Sequence, residues 1–185
     1  MLACAAARVL GVGSEYIEAA VRDFDTVSGR MECMSKNGVT AVIDFAHTPD
    51  ALENALRSLS PLCRGRLITV FGCGGDRDVG KRPLMGGIAE KYSDKIYLTS
   101  DNPRSENPDV IISQIAAGIK NIEKTVHITN RKDAVMSALA DARGGDVVLI
   151  AGKGHEAFTV DLRGKHKYSD KETVTEFFEK TQNEF

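Results

Sequence analysis

Four short loops hold most of the groups in this sequence that could grip a small charged molecule. They are Ala46-His47-Thr48-Pro49-Asp50, Gly72-Cys73-Gly74-Gly75-Asp76-Arg77-Asp78, Asp101-Asn102-Pro103-Arg104 and Gly152-Lys153-Gly154-His155-Glu156. In the second, three glycines let the backbone turn tightly and approach a ligand, while Arg77 offers a planar fork suited to a carboxylate. The same arginine could instead pair with Asp76 or Asp78 on the surface. The third loop sets an acceptor, an amide and a guanidinium within four residues, stiffened by Pro103. It could grip a zwitterion, with Arg104 on a carboxylate and Asp101 or Asn102 on an ammonium, or be a capped turn before a helix. In the fourth, Glu156 is a second candidate for an amino group, and His155 is either a general base or a hydrogen-bonding partner. His47 suits stacking or hydrogen bonding to a planar ring, because no second ligand lies at metal spacing.

Two familiar motifs are near misses. Gly75 to Lys81 has the phosphate-binding G-x-x-x-x-G-K spacing, but Arg82 stands where that motif needs Ser or Thr for magnesium, and Asp76 and Asp78 would face the phosphates. Gly72-x-Gly74 begins a dinucleotide fingerprint, but Arg77 replaces its third glycine. Neither Gly-x-Ser-x-Gly nor a cysteine with a local histidine is present.

The loops need a frame, and each follows an apolar, β-branched run: 39–45, 67–71, 96–99 and 147–151. If these runs are parallel strands joined by helices, all four loops open at one sheet edge, where open α/β sheets bind ligands. The intervening pattern supports this. Strands at 30–35 and 39–45 flank Asn37-Gly38, a hairpin signal. Thr48 caps a helix with Pro49 at its first position; further helices read at 83–92, at 109–119 behind Asn107-Pro108, and from Asn130 to 142. A short strand spans 126–129. A hairpin of 158–162 and 165–168 turns at Arg163-Gly164, and Ser169-Asp170-Lys171-Glu172 is a capping box for a last helix. Ahead of this, 1–10 reads as an Ala-rich helix and Ser14 caps a second through 21. The expected fold is α/β: a Rossmann-like, mostly parallel sheet with helices on both faces, plus a short N-terminal helical segment.

At 185 residues, 42% hydrophobic and 27% charged, with net charge −2, the chain has the make-up of one globular domain with a small appendage. The charge balance gives no footprint for nucleic acid or an anionic membrane, and no run approaches the roughly 20 apolar residues of a membrane span. The four cysteines are scattered without a Cys-x-x-Cys pair, which speaks against zinc and for reduced thiols in the cytoplasm.

Taken together, Val27-Ser28-Gly29-Arg30-Met31-Glu32, Asp44-Phe45-Ala46-His47-Thr48-Pro49-Asp50, the glycine loop with Lys81-Arg82-Pro83, Asp101 to Arg104 and Ala151 to Glu156 resemble the C-terminal third of the Mur ligases. The likeness covers nearly the whole chain in order and is to the branch adding the third residue of the peptidoglycan stem peptide. It implies an ATP-dependent ligase: ATP phosphorylates a peptide carboxylate, and the amine of the incoming amino acid displaces phosphate from the acyl phosphate. The domain then acts mainly by positioning that amine.

The resemblance places Arg77, Asp101, Asn102, Pro103, Arg104, Gly152 and Glu156 around the amino acid, and Arg30, Asp44 and His47 toward the nucleotide. It gives no residue here a catalytic or metal-ligand role. The Asp-Asn-Pro-Arg tetrad resembles the version selecting meso-diaminopimelate, whose distal carboxylate Arg104 could pair with; lysine lacks that group. Phe45 replaces the tyrosine expected in its motif, with the ring kept.

By the same resemblance, 1–26 is the helical tail of a central ATPase domain and 27–185 the C-terminal, amino-acid-binding domain. The partners implied are meso-diaminopimelate, ATP, a UDP-N-acetylmuramoyl dipeptide, and the N-terminal and central domains, which hold most of the ATP and Mg2+ contacts. The chain alone is expected neither to hydrolyse ATP nor to ligate. Lysine or glutamate as substrate, as in the related folylpolyglutamate synthases, a non-catalytic binding module and a nicotinamide oxidoreductase are the alternatives.

Overall fold

The four apolar runs carry apolar side chains on both sides, so both faces of the sheet they form must be covered. In the computed structural model, which describes residues 2–24 and 26–181, they are. Met1 and Asp25, assigned above to the first helix and to the segment after the second, lie outside the described residues.

The strands are β1 (Glu32–Lys36), β2 (Val39–Asp44), β3 (Leu67–Phe71), β4 (Lys95–Leu98), β5 (Thr125–His127), β6 (Val147–Ala151), β7 (Phe158–Asp161) and β8 (Gly164–Lys167). The helices are α1 (Leu2–Val9), α2 (Ser14–Arg22), α3 (Pro49–Leu59), α4 (Lys81–Tyr92), α5 (Pro108–Ala116), α6 (Arg131–Asp141) and α7 (Asp170–Lys180). Six strands form one sheet in the order β1-β2-β6-β3-β4-β5; β1 runs antiparallel to β2 and every other pairing is parallel. β7 and β8 form a separate antiparallel ribbon.

Alternate residues of each strand serve opposite layers. On β6, Val147, Leu149 and Ala151 join Leu52, Leu56, Met85 and Ile115 from α3, α4 and α5. Val148 and Ile150 join Ala134, Leu139, Val174 and Phe178 from α6 and α7. Leu52, Leu56, Met85 and Leu139 are essentially sealed from solvent, and each such side chain contributes about 1.5–3 kcal/mol by burial. By contrast, α1 and α2 bury none of their residues, and Leu2, Val9, Tyr16 and Phe24 are largely exposed. Among the described residues no helix is long and apolar enough to cross a membrane.

The expected signals hold at most boundaries. Thr48, Asn107, Asn130 and Ser169 each accept a backbone N–H in the first turn of α3, α5, α6 and α7. Asn37 and Gly38 both have positive φ (52° and 79°), the geometry of a two-residue hairpin turn matched to strand twist.

The differences have local causes. β1 starts at Glu32 rather than 30 because Gly29 and Met31 adopt left-handed φ values of 69° and 46°, which no strand contains. α4 starts at Lys81, two residues before Pro83, since proline is tolerated anywhere in a first turn whose N–H groups have no helical partner. Ser14 is not a cap: Gly13 holds that position, and the Ser14 hydroxyl accepts from Arg8. The last hairpin turns at 162–163, one residue early, because Asp161 Oδ1 accepts the Arg163 N–H.

Candidate functional site

Because β2, β6, β3 and β4 are parallel neighbours, their C-terminal ends share one edge; Asp44 lies opposite Ala151, and Phe71 opposite Leu98. The four loops therefore surround one cleft of about 800 Å³. Arg77, Asp101, Asn102, Arg104, Gly152 and Glu156 all line it. Of the residues expected around the amino acid, only Pro103 does not; it is buried behind them.

The glycine loop packs directly on the Asp-Asn-Pro-Arg turn. The Gly75 N–H donates to Asn102 O at 2.9 Å, and a Cβ on Gly75 would stand 1.9 Å from the Pro103 carbonyl oxygen, so only glycine allows this contact. Arg104 has a φ of 51°, a conformation non-glycine residues adopt at some cost. It is held there by its N–H donating to Val160 O (3.0 Å) and by Nη1 donating to Gly75 O (2.7 Å) and Asn102 O (3.3 Å).

Arg82, the residue that spoils the phosphate-loop motif, has a different task. Its fully buried guanidinium donates to both oxygens of Glu106 (2.7 and 2.8 Å), to Gln114 and to Gly74 O, tying α4 to the glycine loop. The Arg82 hydrogen bond, with one from the Asp76 N–H, holds the Glu106 carboxyl down at about 2. Arg77 takes neither of its nearby carboxylates: Asp76 accepts from Ser105, and Asp78 from the Gly80 N–H. Arg77 is exposed and forms no ion pair among the described residues, so its fork is available to the cleft.

The carboxylates differ. Asp101 is largely buried, lines the cleft and has no hydrogen-bond partner among the described residues. Glu156 uses only Oε2, which accepts from Asn102 Nδ2 (2.9 Å) and Lys153 Nζ (3.3 Å). Below the cleft, Arg131 donates to both oxygens of Asp170 (2.9 and 2.8 Å) and to Ala151 O (2.9 Å), the end of β6.

The residues expected toward the nucleotide gather around Phe45. The Arg30 guanidinium lies over the ring at 4.6 Å, His47 meets it edge-on at 4.7 Å, and His155 stands at 5.6 Å. Asp44 is buried, and its oxygens accept the N–H groups of Met31 (2.9 Å) and Ala46 (2.8 Å); it shapes the loop on which Arg30 and His47 stand.

The sequence alone gives no site role to Lys153 or Arg131 and places Asp170 only in the cap of the last helix. A lysine between two glycines after an apolar strand is a faint signal; Asp170, which pairs with Arg131, and Asn102, which joins Lys153 to the third loop, lie too far along the chain to give one.

The sequence model of the family described as Mur ligase, glutamate ligase domain, matches residues 29–154. The UDP-N-acetylmuramoyl-L-alanyl-D-glutamate--2,6-diaminopimelate ligase of Clostridioides difficile (strain 630) is 44% identical over 178 residues, 95% of this chain and 37% of that protein. Its namesake in Aquifex aeolicus is 47% identical over 167 residues, 90% of this chain and 34% of its own length. A solved structure of a ligase of that name covers 98% of this chain and 37% of its own, at 36% identity and a TM-score of 0.81. The structure of UDP-N-acetylmuramate-alanine ligase from Thermotoga maritima, 17% identical with a TM-score of 0.68, shares the fold and covers 98% of this chain and 36% of its own. The chain thus spans little more than a third of the relatives it matches. The family match takes in every loop around the cleft except the last two residues of the fourth, and the chain belongs to the Mur ligase family.

Proposed function

We propose that this chain is the amino-acid-binding domain of an ATP-dependent ligase that adds meso-diaminopimelate to UDP-N-acetylmuramoyl-L-alanyl-D-glutamate. The observation that carries the reading is the charge pattern of the cleft: Arg77 and Arg104 with open guanidinium nitrogens, Asp101 and Glu156 with open carboxylate oxygens. Asp78 and Lys81 also line the cleft but are engaged by the Gly80 N–H and by His47 O; the two remaining cations and two remaining anions match a molecule with two carboxylates and two ammonium groups. Lysine would leave one arginine unanswered, and glutamate one acid.

The domain's contribution to the reaction is placement. Arg77 and Arg104 fix the carboxylates, and Asp101 and Glu156 orient the amino groups, so that one amine is held where an activated carboxyl can meet it. ATP, when bound, would supply the phosphoryl group that activates that carboxyl. The Arg30–Phe45–His47 surface fits a nucleotide, offering a ring for stacking and a cation for phosphate. Among the described residues no group of three or more His, Cys, Asp or Glu could hold a metal ion. The uncovered apolar sides of α1 and α2 support reading 1–26 as part of a central ATPase domain and 27–185 as the C-terminal domain.

Titration calorimetry of the chain with meso-diaminopimelate, L-lysine and L-glutamate tests this. meso-Diaminopimelate is expected to bind tighter than lysine by about tenfold or more, the worth of one charged hydrogen bond. Arg104→Ala should erase that preference; equal affinities in the wild-type chain would refute the assignment. Diaminopimelate-dependent ADP release by the purified chain should be absent.

A further inference from the structure

Lys153 is fully buried at the floor of the cleft, yet it does not face the cavity. Its Nζ donates to Asn102 Oδ1 (3.0 Å), Glu156 Oε2 (3.3 Å) and Phe158 O (2.8 Å), which accounts for all three ammonium protons. Those acceptors lie on three separate segments: the turn after β4, the loop after β6, and β7. Burial draws the Lys153 ammonium below the ordinary lysine range and Arg131 adds to that, while Asp101 and Glu156 oppose it and favour the charge.

The chemistry around Asn102 is one-directional. Its Oδ1 also accepts the Val160 N–H at 2.9 Å, while Nδ2 donates to Glu156 Oε2 at 2.9 Å. A flipped amide would set its NH2 against an ammonium and an N–H, two donor–donor contacts, and its oxygen against a carboxylate. One Nδ2 proton is left for a ligand, beside the unengaged Oε1 of Glu156.

We propose that Lys153 is a positioning residue: its ammonium joins 101–104, 152–156 and the β7–β8 ribbon, orienting the Asn102 amide as a donor and Glu156 as an acceptor toward the incoming amino acid. This rests on the reading of the cleft as the amino-acid site. Lys153 acts only through its neighbours and makes no ligand contact itself.

The test uses the whole chain, 15N-labelled, with meso-diaminopimelate as the probe. Lys153→Met is expected to weaken binding by roughly tenfold or more, to shift the Asn102 side-chain amide resonance, and to leave the backbone spectrum of β2, β3 and β4 in place. In a cycle with Glu156→Gln, the two losses should be less than additive, because both variants break the same contact. Lys153→Met binding like wild type, an unmoved Asn102 amide, or fully additive losses would each overturn the proposal. Should Lys153→Met fail to fold, the wild-type ammonium decides: with every proton engaged it should exchange slowly enough to be seen, and move on ligand addition. An ammonium signal that is absent or indifferent to ligand overturns the proposal. A wild-type chain that does not bind overturns both this and the site assignment, whereas binding with an indifferent variant overturns this alone.

Discussion

Replacing Arg131 by methionine isolates the support beneath the cleft. The Arg131 and Asp170 side chains are 4% and 0% exposed, and the guanidinium also holds Ala151 O at the end of β6. Without it, the Asp170 carboxylate keeps only the Tyr168 hydroxyl at 2.8 Å, and a buried charge is stranded. Breaking one side of such a pair costs about 3–5 kcal/mol. Unfolding entropy of about 2.1 cal/mol/K per residue gives roughly 0.4 kcal/mol/K for a chain of this length, so Tm should fall by about 10 °C. Differential scanning calorimetry and urea unfolding read both quantities. The deficit should shrink as pH falls, because a stranded carboxylate takes up a proton more readily folded than unfolded. Arg131→Met combined with Asp170→Leu should recover most of the loss, since no charge is then buried. A single variant within about 1 kcal/mol of wild type, or a double variant less stable than the single, would show that no charge is stranded at Asp170.

Two further outcomes are expected. Glu106, held down at about 2 from an ordinary 4.5 chiefly by Arg82, contributes stability that is complete above pH 4.5 and lost as pH falls toward 2; Glu106→Gln should flatten that part of a pH-dependent melting curve. Arg77→Ala should change stability by no more than about 0.5 kcal/mol, as its side chain is exposed and unpaired among the described residues, while meso-diaminopimelate affinity falls markedly in the same calorimetric titration.

The frame was legible because its signals are local. Runs such as 147–151 announce doubly covered strands, Asn37-Gly38 announces a hairpin, and Thr48-Pro49 and Asn107-Pro108 announce helix starts. Once those strands are parallel, the convergence of Arg77, Asp101, Asn102, Arg104, Gly152 and Glu156 follows from geometry. What escaped was set by distant contacts. Arg131 reads as an ordinary charged position, and neither the motif position of Arg82 nor the loop position of Lys153 shows what it holds, because the partners of Arg82, Arg131 and Lys153 at Glu106, Asp170 and Asn102 lie 24, 39 and 51 residues away. The start of β1 escaped for another reason: Met31 is a non-glycine residue with positive φ, held by the Asp44 carboxylate thirteen positions on.

Apart from Lys81, which is half-buried at the cleft and donates to His47 O, the site's cations fall into two sets, divided by burial rather than by residue type. Arg82, Arg131 and Lys153 are buried and answered by protein acceptors, and each ties one site loop to another part of the chain. Arg30 and Arg77 are exposed and form no ion pair among the described residues, while Arg104 engages only Nη1 and leaves Nε and Nη2 without partners there. A buried cation cannot turn to a ligand without leaving carbonyl and carboxylate oxygens unpaired, at about 1–3 kcal/mol each. An exposed one can do so at almost no cost. On the proposed reading of the cleft, ligand recognition falls to Arg77 and Arg104 and, beside Phe45, to Arg30, and stability to the buried three. Of these, Lys153 alone has two of its three acceptors on ligand-facing side chains, so it is the one position where a change should alter affinity through orientation as well as through folding.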